Sequence, residues 1–210
     1  MEGTEATVRD VRSVGDDTVA MAIETPDGFD ALPGQFVQLG HTVDGEEIVR
    51  HYTISSATVT DTFEITVGID PEGTLSPALA AMEAGDTVTI DGPFGRVFYE
   101  ADGPAVVLAG GPGVGPAVGI AEAAEAAGHP VAVVYRDDAP AHEDRLETVA
   151  AEGGHVWIVD DGIDEAVGEA VAAVDGPVYV YGFSDFCDDA IAALEAAGRD
   201  PDAARVERFD

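Results

Sequence analysis

The chain has 210 residues, and its 42 acidic residues against 9 basic ones, all of them arginine, give a formal net charge of −33. A surface this negative repels nucleic acids and anionic lipids, which bind to basic patches, so we expect neither as a partner. Hydrophobic residues make up 46% of the sequence, but no apolar run approaches the ~20 residues of a membrane span, so we expect a cytoplasmic protein without membrane insertion.

The first hundred residues show the alternation of apolar and polar side chains that is typical of strands. Residues 5–14 and 18–24 flank the turn Gly15-Asp16-Asp17 and predict a hairpin. Further strands are predicted at residues 35–39, 48–55, 63–67 and 87–91, and a tight loop is predicted at residues 92–96. Because these strands are short and recur about every ten residues, they predict a six-stranded antiparallel barrel.

The fourth predicted strand carries Arg50-His51-Tyr52-Thr53. Because side chains on a strand alternate between its faces, Arg50 and Tyr52 are expected on the same face. A guanidinium binds phosphate through paired hydrogen bonds, and a phenol ring stacks on flat ring systems, so the combination suits a flavin nucleotide. The alternative is a surface arginine beside a core tyrosine in a strand that Thr and Ser residues favour.

The strands are interrupted at Gly73-Thr74-Leu75-Ser76, which is followed by Pro77. Ser76 is predicted as the N-cap of a helix that has Pro77 at its first position and reaches Met82. A helix start preceded by a glycine offers free backbone N–H groups, to which a pyrophosphate can bind. An ordinary helix start is the alternative explanation of the same residues.

The second half of the chain changes its pattern. Residues 101–104 are rich in structure breakers and predict a boundary between one domain at residues 1–100 and another at residues 101–210. Residues 105–109 form a continuous apolar run, which is typical of a parallel strand buried on both faces. Four more strands are predicted in alternation with helices, at residues 131–135, 155–159, 178–181 and 205–209. This alternation predicts a doubly wound parallel α/β domain.

A glycine-rich loop, Gly110-Gly111-Pro112-Gly113-Val114, follows the first strand of this second domain. In doubly wound sheets the ligand binds at the carboxyl ends of the strands, where this loop is expected. The loop differs from the G-x-G-x-x-G fingerprint, because Pro116 stands where the third glycine belongs. Its glycines nevertheless allow a dinucleotide to approach the backbone closely.

Cysteine and histidine content limits the chemistry that the protein can perform. Cys187 is the only cysteine, which excludes an internal disulfide, a four-cysteine iron–sulfur cluster and a cysteine zinc site. No pair of histidines has metal-ligand spacing, so we expect no metal, and any redox chemistry would come from a bound organic cofactor. The acidic composition is similar to that of proteins from salt-loving microbes. Molar salt shortens the screening length to about 3 Å, which largely removes the self-repulsion of so negative a chain.

Taken in order, the motifs Arg50-x-Tyr52-Thr53, Gly73-x-x-Ser76, Gly92-Pro93-Phe94-Gly95, the loop from Gly110 to Pro116 and Glu207-Arg208-Phe209 resemble those of the ferredoxin–NADP reductase superfamily. The resemblance covers nearly the whole chain. It implies an N-terminal barrel that binds FAD and a C-terminal α/β domain that binds NADH or NADPH. It also implies hydride transfer from NAD(P)H to flavin N5 and electron transfer to a protein acceptor, such as ferredoxin or an oxygenase component.

The resemblance assigns Arg50 to the FAD pyrophosphate, Tyr52 to stacking on the isoalloxazine and Thr53 to a position near flavin N5. Glu207, as a possible proton relay, and Phe209, as an aromatic near the flavin, join Thr53 as implied catalytic residues. The implied FAD-binding residues are Arg50, His51, Tyr52, Thr53, Val67, Gly73, Thr74, Leu75 and Ser76. The implied NAD(P)-binding residues are Gly110, Gly111, Pro112, Gly113, Val114, Arg136, Gly182 and Phe183.

Three positions depart from the family pattern. Pro112 stands where the family often has Thr, Phe183 stands in place of the proline of a Cys-Gly-Pro motif, and Gly68 replaces a common basic residue. The first two face the nicotinamide in the family, so one alternative is an electron-transfer flavin subunit with weak or no NAD(P) binding. A further alternative is an oxygenase-linked or free-flavin reductase, which differs only in its acceptor.

The choice of nicotinamide depends on the residues that follow the second strand of the C-terminal domain. Arg136 could hold the 2′-phosphate of NADPH, whereas Asp137 or Asp138 would prefer the free ribose hydroxyl of NADH. The sequence slightly favours NADH.

Overall fold

The computed structural model describes residues 3–209. Its N-terminal half is one six-stranded antiparallel sheet in the order β4-β3-β6-β1-β2-β5. The strands are β1 (Thr4–Gly15), β2 (Thr18–Glu24), β3 (Phe36–Val43), β4 (Glu46–Thr53), β5 (Thr62–Gly68) and β6 (Thr87–Phe94). An isolated bridge pairs Ile54, just after β4, with Ile65 of β5. Because β4 and β5 are the two ends of the strand order, this bridge closes the sheet into the expected barrel.

The barrel core comes from the inward half of each alternating strand. Along β5, Phe63, Ile65 and Val67 are at most 1% exposed, and Met21, Ile23, Val37 and Leu39 pack in the same cluster. The hairpin of β1 and β2 pairs as expected around the turn at residues 15–17. The predicted alternation is therefore confirmed where it places side chains in the core.

The C-terminal half is a five-stranded sheet in the order β11-β10-β7-β8-β9, and every adjacent pair of strands is parallel. Its strands are β7 (Ala105–Gly110), β8 (Val131–Arg136), β9 (His155–Val159), β10 (Val178–Gly182) and β11 (Arg205–Arg208). Its helices are α2 (Val114–Ala126), α3 (Glu143–Glu152), α4 (Asp164–Ala173) and α5 (Ser184–Ala196). The chain leaves β7 towards β8 on one side and returns to β10 on the other, so the crevice of the sheet lies at the carboxyl ends of β7 and β10.

Every residue of β7 is buried, as its continuous apolar run predicts. Cys187 is also fully buried, within α5. No helix within residues 3–209 is both long and apolar enough to cross a bilayer. The division into domains at residues 100 and 101 stays a prediction.

Two local predictions were wrong. The short helix α1 spans Leu75–Ala80 with Thr74 at its N-cap, so Ser76 lies inside it. The Ser76 hydroxyl instead accepts a hydrogen bond from the backbone N–H of Asp70 at 3.1 Å. The predicted tight loop at residues 92–96 is also partly strand, because β6 runs to Phe94. A register shift between Phe36 and Gln38 of β3 lets the two strands stay paired past Pro93, which has no N–H to donate.

The two halves of the chain pack closely through α2 and α3. A Cβ added at Gly119 of α2 would lie 3.1 Å from the carbonyl oxygen of Ser55, so the helix approaches the barrel backbone directly. The Arg145 guanidinium of α3 donates to the Ser55 carbonyl at 2.9 Å, to Glu64 at 2.9 Å and to Glu122 at 2.7 Å. The barrel and the α/β half, which bound a groove between them, are therefore fixed to each other.

Candidate active site

A groove runs between the barrel and the α/β half. Its inner end is a cavity of about 300 Å³. The barrel residues that line this cavity are Phe36, His51, Tyr52, Thr53, Thr66 and Gly68. The residues from the other half are Pro112, Phe183, Glu207, Arg208 and Phe209. Five of these eleven side chains carry an aromatic ring, so this end suits a flat ring system.

A second cavity of about 720 Å³ continues the groove along the outside of the barrel. It shares His51, Tyr52 and Gly68 with the inner cavity and extends to Arg50 and to the loop at residues 73–76. An elongated ligand could therefore place a ring at the inner end and an anionic group beside Arg50.

Strand β4 supplies the residues at the junction of the two cavities. Tyr52 pairs with Val37 of β3 and is half-buried, and burial raises the pKa of its phenol to about 12 against the opposing effect of the Arg50 charge. His51 shares a hydrogen bond of 3.1 Å with Gln38 and meets the Phe36 ring edge-on at 5.3 Å. Tyr52 thus presents a neutral ring, and the neighbouring groups hold the imidazole of His51 in place.

Arg50 is exposed, and its Nη1 donates to the carbonyl of Val49 at 2.8 Å. Among the described residues, six of the nine arginines form ion pairs, at residues 9, 12, 136, 145, 199 and 208. Within residues 3–209, no carboxylate lies at salt-bridge distance from Arg50. Asp44, Glu46, Glu47 and Asp70 nevertheless line the same cavity. Arg50 is therefore available to an anion, in surroundings that are otherwise negative.

The predicted loop at residues 73–76 lines the groove but is organised by Asp70. The backbone N–H of Gly73 donates to the Asp70 carbonyl at 3.0 Å, and the Asp70 N–H donates to Ser76. The side chains of Leu75 and Val67 are 4% and 0% exposed and pack in the barrel core. Leu75 lines the second cavity, whereas Val67 lines neither cavity, and the assignment of both residues to the FAD site stays a prediction.

The three residues predicted as catalytic all line the inner cavity. Thr53 ends β4 and is half-buried. Burial raises the pKa of the Glu207 carboxyl above its usual value, so this group holds its proton more tightly than a solvated glutamate. The backbone N–H of Phe209 donates to the carbonyl of Gly182 at 3.0 Å, which holds Phe209 against β10.

Phe183 is the most exposed large apolar side chain of the described residues, at 53%. Its ring meets that of Phe209 edge-on, with 6.3 Å between centroids. Pro112 is also exposed and lines the same cavity. These two departures from the family pattern therefore lie together in the lining of the inner cavity.

The glycines of the loop at residues 110–114 have two roles, because two of them allow close packing and the third leaves open space. A Cβ at Gly110 would collide with the Phe186 ring, and one at Gly113 would collide with the carbonyl of Tyr181, so packing requires both glycines. Gly111 has a φ of +54°, and no atom lies within 4 Å of the place that a Cβ would occupy, so its missing side chain leaves open space. Val114 is 1% exposed and belongs to the core. Gly111 and the exposed Pro112 are therefore the part of the loop that is open to a ligand.

Arg136 lies at the carboxyl end of β8, where a nucleotide ribose was expected. Its guanidinium forms a salt bridge with Asp189 at 2.8 Å and lies 4.9 Å above the centre of the Phe186 ring. Asp137 accepts hydrogen bonds from the Tyr135 hydroxyl at 2.9 Å and from the Ala139 N–H at 3.0 Å. Both side chains are therefore held by neighbours.

Sequence reasoning missed Phe36, Thr66 and Arg208 as cavity-lining residues. Thr66 could have been found, because it alternates with the inward-facing Ile65 and Val67 and must face away from the barrel core. Phe36 gives no such signal, since its role depends on how β3, β4 and β6 come together.

Comparison with known proteins identifies relatives of this fold. Residues 5–99 match the family model described as the oxidoreductase FAD-binding domain. The glycine betaine monooxygenase reductase subunit of Chromohalobacter salexigens is 38% identical over 104 residues, covering 47% of this chain and 28% of the relative. The flavohemoprotein of Burkholderia sp. strain TH2 is 31% identical over 144 residues, covering 65% and 37%. The chain therefore spans about a third of the length of these curated relatives.

Among solved structures, a ferredoxin NADP+ reductase from Neisseria gonorrhoeae with bound FAD and NADP matches with a TM-score of 0.83. The match covers 100% of both chains at 22% identity. At this identity the likeness establishes a shared arrangement of barrel and parallel sheet.

Proposed function

This chain has the ferredoxin–NADP reductase-like FAD/NAD-binding fold, and from that premise we propose that it binds FAD, oxidises NADH or NADPH and passes electrons to a protein acceptor. One observation carries the proposal. The groove is continuous from the aromatic cavity between the two halves to the exposed Arg50. That arrangement fits a molecule with a flat ring at one end and a pyrophosphate further along.

The residues of β4 would hold the cofactor. Arg50 would bind the pyrophosphate, Tyr52 would stack on the ring system, and the Thr53 hydroxyl would orient the ring in the inner cavity. Backbone groups of residues 73–76 would bind the remaining phosphate oxygens. Bound FAD would supply the acceptance of a hydride and the release of electrons singly or in pairs, while the protein supplies position and electrostatics.

The other half would hold the nicotinamide and move the proton. Gly111 leaves room for a dinucleotide beside the carboxyl end of β7, and the Phe209 ring in the inner cavity would lie near the flavin ring. Glu207 lies in the same cavity with a raised pKa, which suits a group that exchanges a proton during the cycle.

NADH is the favoured donor. The 2′-phosphate of NADPH would need a free cation near the end of β8, but Arg136 is already paired with Asp189. Asp137 and Asp138 add negative charge at the same place, which opposes a phosphate and suits a ribose hydroxyl.

The acceptor is proposed to be a ferredoxin or the oxygenase component of a two-part system, working in a cytoplasm of high salt content. The relative from Chromohalobacter salexigens is a monooxygenase reductase subunit, which supports the second acceptor. An acidic reductase and an acidic acceptor need concentrated salt to screen their repulsion.

A second candidate is an electron-transfer flavin subunit without productive NAD(P) binding. It is favoured by Phe183 and Pro112, which stand at the mouth of the inner cavity where a nicotinamide would enter.

The test is a visible spectrum of protein purified in molar KCl, followed by anaerobic titration with NADH and NADPH. The proposed reductase retains yellow FAD and loses flavin absorbance rapidly with NADH. Flavin that neither nucleotide bleaches would support the electron-transfer subunit, and a protein that binds no flavin would overturn both proposals.

A further inference from the structure

Thr66 lies where the inner cavity meets the α/β half. It is on β5, only 5% exposed, and it lines the cavity. Its Oγ1 lies 2.8 Å from Nε2 of His142, the residue that precedes α3. This contact joins a side chain of the cavity wall to a histidine from the opposite half of the chain.

The surroundings of His142 determine which ring nitrogen carries the proton. The residue is 0% exposed, and its Nδ1 has no hydrogen-bond partner within residues 3–209. A buried N–H without an acceptor is rarer than an acceptor without a donor, so the proton belongs on Nε2. A second ring proton is disfavoured, because burial and the charges of Arg145 and Arg12 lower the pKa of His142 to about 3. His142 is thus a neutral donor to Thr66.

The hydroxyl proton of Thr66 must then point away from His142. Since Oγ1 accepts from Nε2–H, the hydroxyl remains free to donate, and the described part of the chain offers it no other acceptor. The side towards α2 is filled, because a Cβ at Gly115 would lie 3.2 Å from Oγ1. The remaining direction is the cavity.

We propose that Thr66 donates a hydrogen bond to an acceptor atom of the FAD ring system in the inner cavity, and that His142 is the positioning residue that makes the hydroxyl a donor. The inference rests on the proposed binding of FAD in this groove. The isoalloxazine edge carries carbonyl oxygens and ring nitrogens that accept hydrogen bonds. A donor there stabilises the negative charge that the ring gains on reduction, so it should affect both affinity and reduction potential.

Thr66 is buried between the two halves of the chain, and its partner lies 76 residues away in sequence. A structural role alone, in which the hydroxyl only satisfies His142, would leave the absorption spectrum of a bound flavin unchanged. The spectrum therefore separates a structural contact from a cofactor contact.

The experiment compares full-length Thr66→Val and Thr66→Ser with wild type in molar KCl, and Thr87→Val on the exposed start of β6 is the matched control. Each protein is freed of flavin and titrated with FAD. We expect Thr66→Val to bind FAD about 10-fold more weakly, as for one lost hydrogen bond of ~1.4 kcal/mol, and to shift the visible flavin band. Thr66→Ser and Thr87→Val should match wild type.

Two further variants test the positioning role. His142→Gln keeps an N–H donor near the position of Nε2, so its bound FAD should have the wild-type absorption spectrum. His142→Leu has no such donor and should resemble Thr66→Val in FAD affinity and spectrum. In the flavin-free wild-type protein, nitrogen-15 NMR should find the proton of His142 on Nε2. A proton on Nδ1, or a Thr66→Val variant with wild-type affinity and spectrum, would overturn the inference while leaving the proposed function intact. Wild-type protein that binds no FAD would overturn both.

Discussion

Arg145 of α3 forms a salt bridge with Glu64 of β5 at 2.9 Å across the junction of the two halves. Their side chains are only 16% and 19% exposed. Arg145 also pairs with Glu122 at 2.7 Å, and Glu64 also pairs with Arg12 at 2.6 Å. This network fixes the wall of the groove, because β5 carries Thr66 and α3 begins directly after His142.

Replacing Arg145 with Met should destabilise the protein by about 3 kcal/mol, because a partly buried carboxylate pair loses its counter-charge. Urea unfolding in molar KCl measures the effect. The matched control is Arg9→Met, whose ion pair with Glu24 is half exposed and should contribute less than about 1 kcal/mol. Equal losses for the two variants would contradict a special role for Arg145.

Replacing Arg50 with Ala should weaken FAD binding about 10- to 100-fold, because a charge-assisted contact with the pyrophosphate contributes roughly 1.5–3 kcal/mol. Fluorescence titration of FAD measures the change. Arg96 is also an exposed arginine and lines neither cavity of the groove, so Arg96→Ala serves as the control for net charge. If the two variants bind FAD alike, the pyrophosphate does not lie at Arg50.

The affinity for FAD should rise with salt, although salt normally weakens the binding of an anion to a basic site. Asp44, Glu46, Glu47 and Asp70 line the cavity around Arg50, which is the one arginine among its lining residues in the described part of the chain. Their repulsion of the pyrophosphate is screened as the Debye length falls from ~10 Å at 0.1 M to ~3 Å at 1 M. Titrations from 0.1 to 2 M KCl should give a falling Kd, and Glu46→Gln should have a shallower dependence. A Kd that rises with KCl would contradict this account.

Much of the fold follows from local patterns in the sequence. Alternation placed Phe63 and Ile65 in the barrel core, and the same alternation places Val67 there, while its assignment to the FAD site stays a prediction. Ser76 could not be assigned from sequence, since it bonds to Asp70 across a loop rather than capping a helix. The extension of β6 past Pro93 depends on a register shift in β3, which no local pattern encodes.

The candidate site was predictable where one strand carries it and unpredictable where two halves meet. Arg50, Tyr52 and Thr53 lie within one strand, so their spacing was informative. The contact of Thr66 with His142 and the pairing of Arg136 with Asp189 depend on tertiary packing. Thr66 and His142 are polar side chains buried where the two halves meet, and no local pattern in the sequence predicts their contact.

The stability should depend on pH through His142. Its pKa falls from 6.5 in the unfolded chain to about 3 in the folded protein, where Arg145, Arg12 and Asp144 are the charged groups that act on it. The unfolded state therefore binds a proton first as pH falls, and the stabilisation present above pH 6.5 is lost between pH 6.5 and 3. From pH 7 to pH 5 the loss should be about 2 kcal/mol.

Because many carboxylates also titrate in this range, the measured quantity is the difference between wild type and His142→Gln. Urea unfolding at each pH in molar KCl should give a difference that shrinks by about 2 kcal/mol from pH 7 to pH 5. A difference that is constant with pH would mean that His142 is accessible to protons in the folded protein.

The preference for NADH should depend on the salt bridge between Arg136 and Asp189. Wild-type protein should have a higher kcat/KM with NADH than with NADPH, because Arg136 is paired and Asp137 and Asp138 repel a 2′-phosphate. Asp189→Asn frees the guanidinium and removes one negative charge, so it should raise kcat/KM for NADPH several-fold and leave that for NADH almost unchanged. Asp175→Asn is the matched control, since Asp175 is also an exposed carboxylate paired with an arginine, Arg199, and neither residue lines either cavity of the groove. Equal effects of the two substitutions would indicate a general charge effect and would remove Arg136 from the nucleotide site.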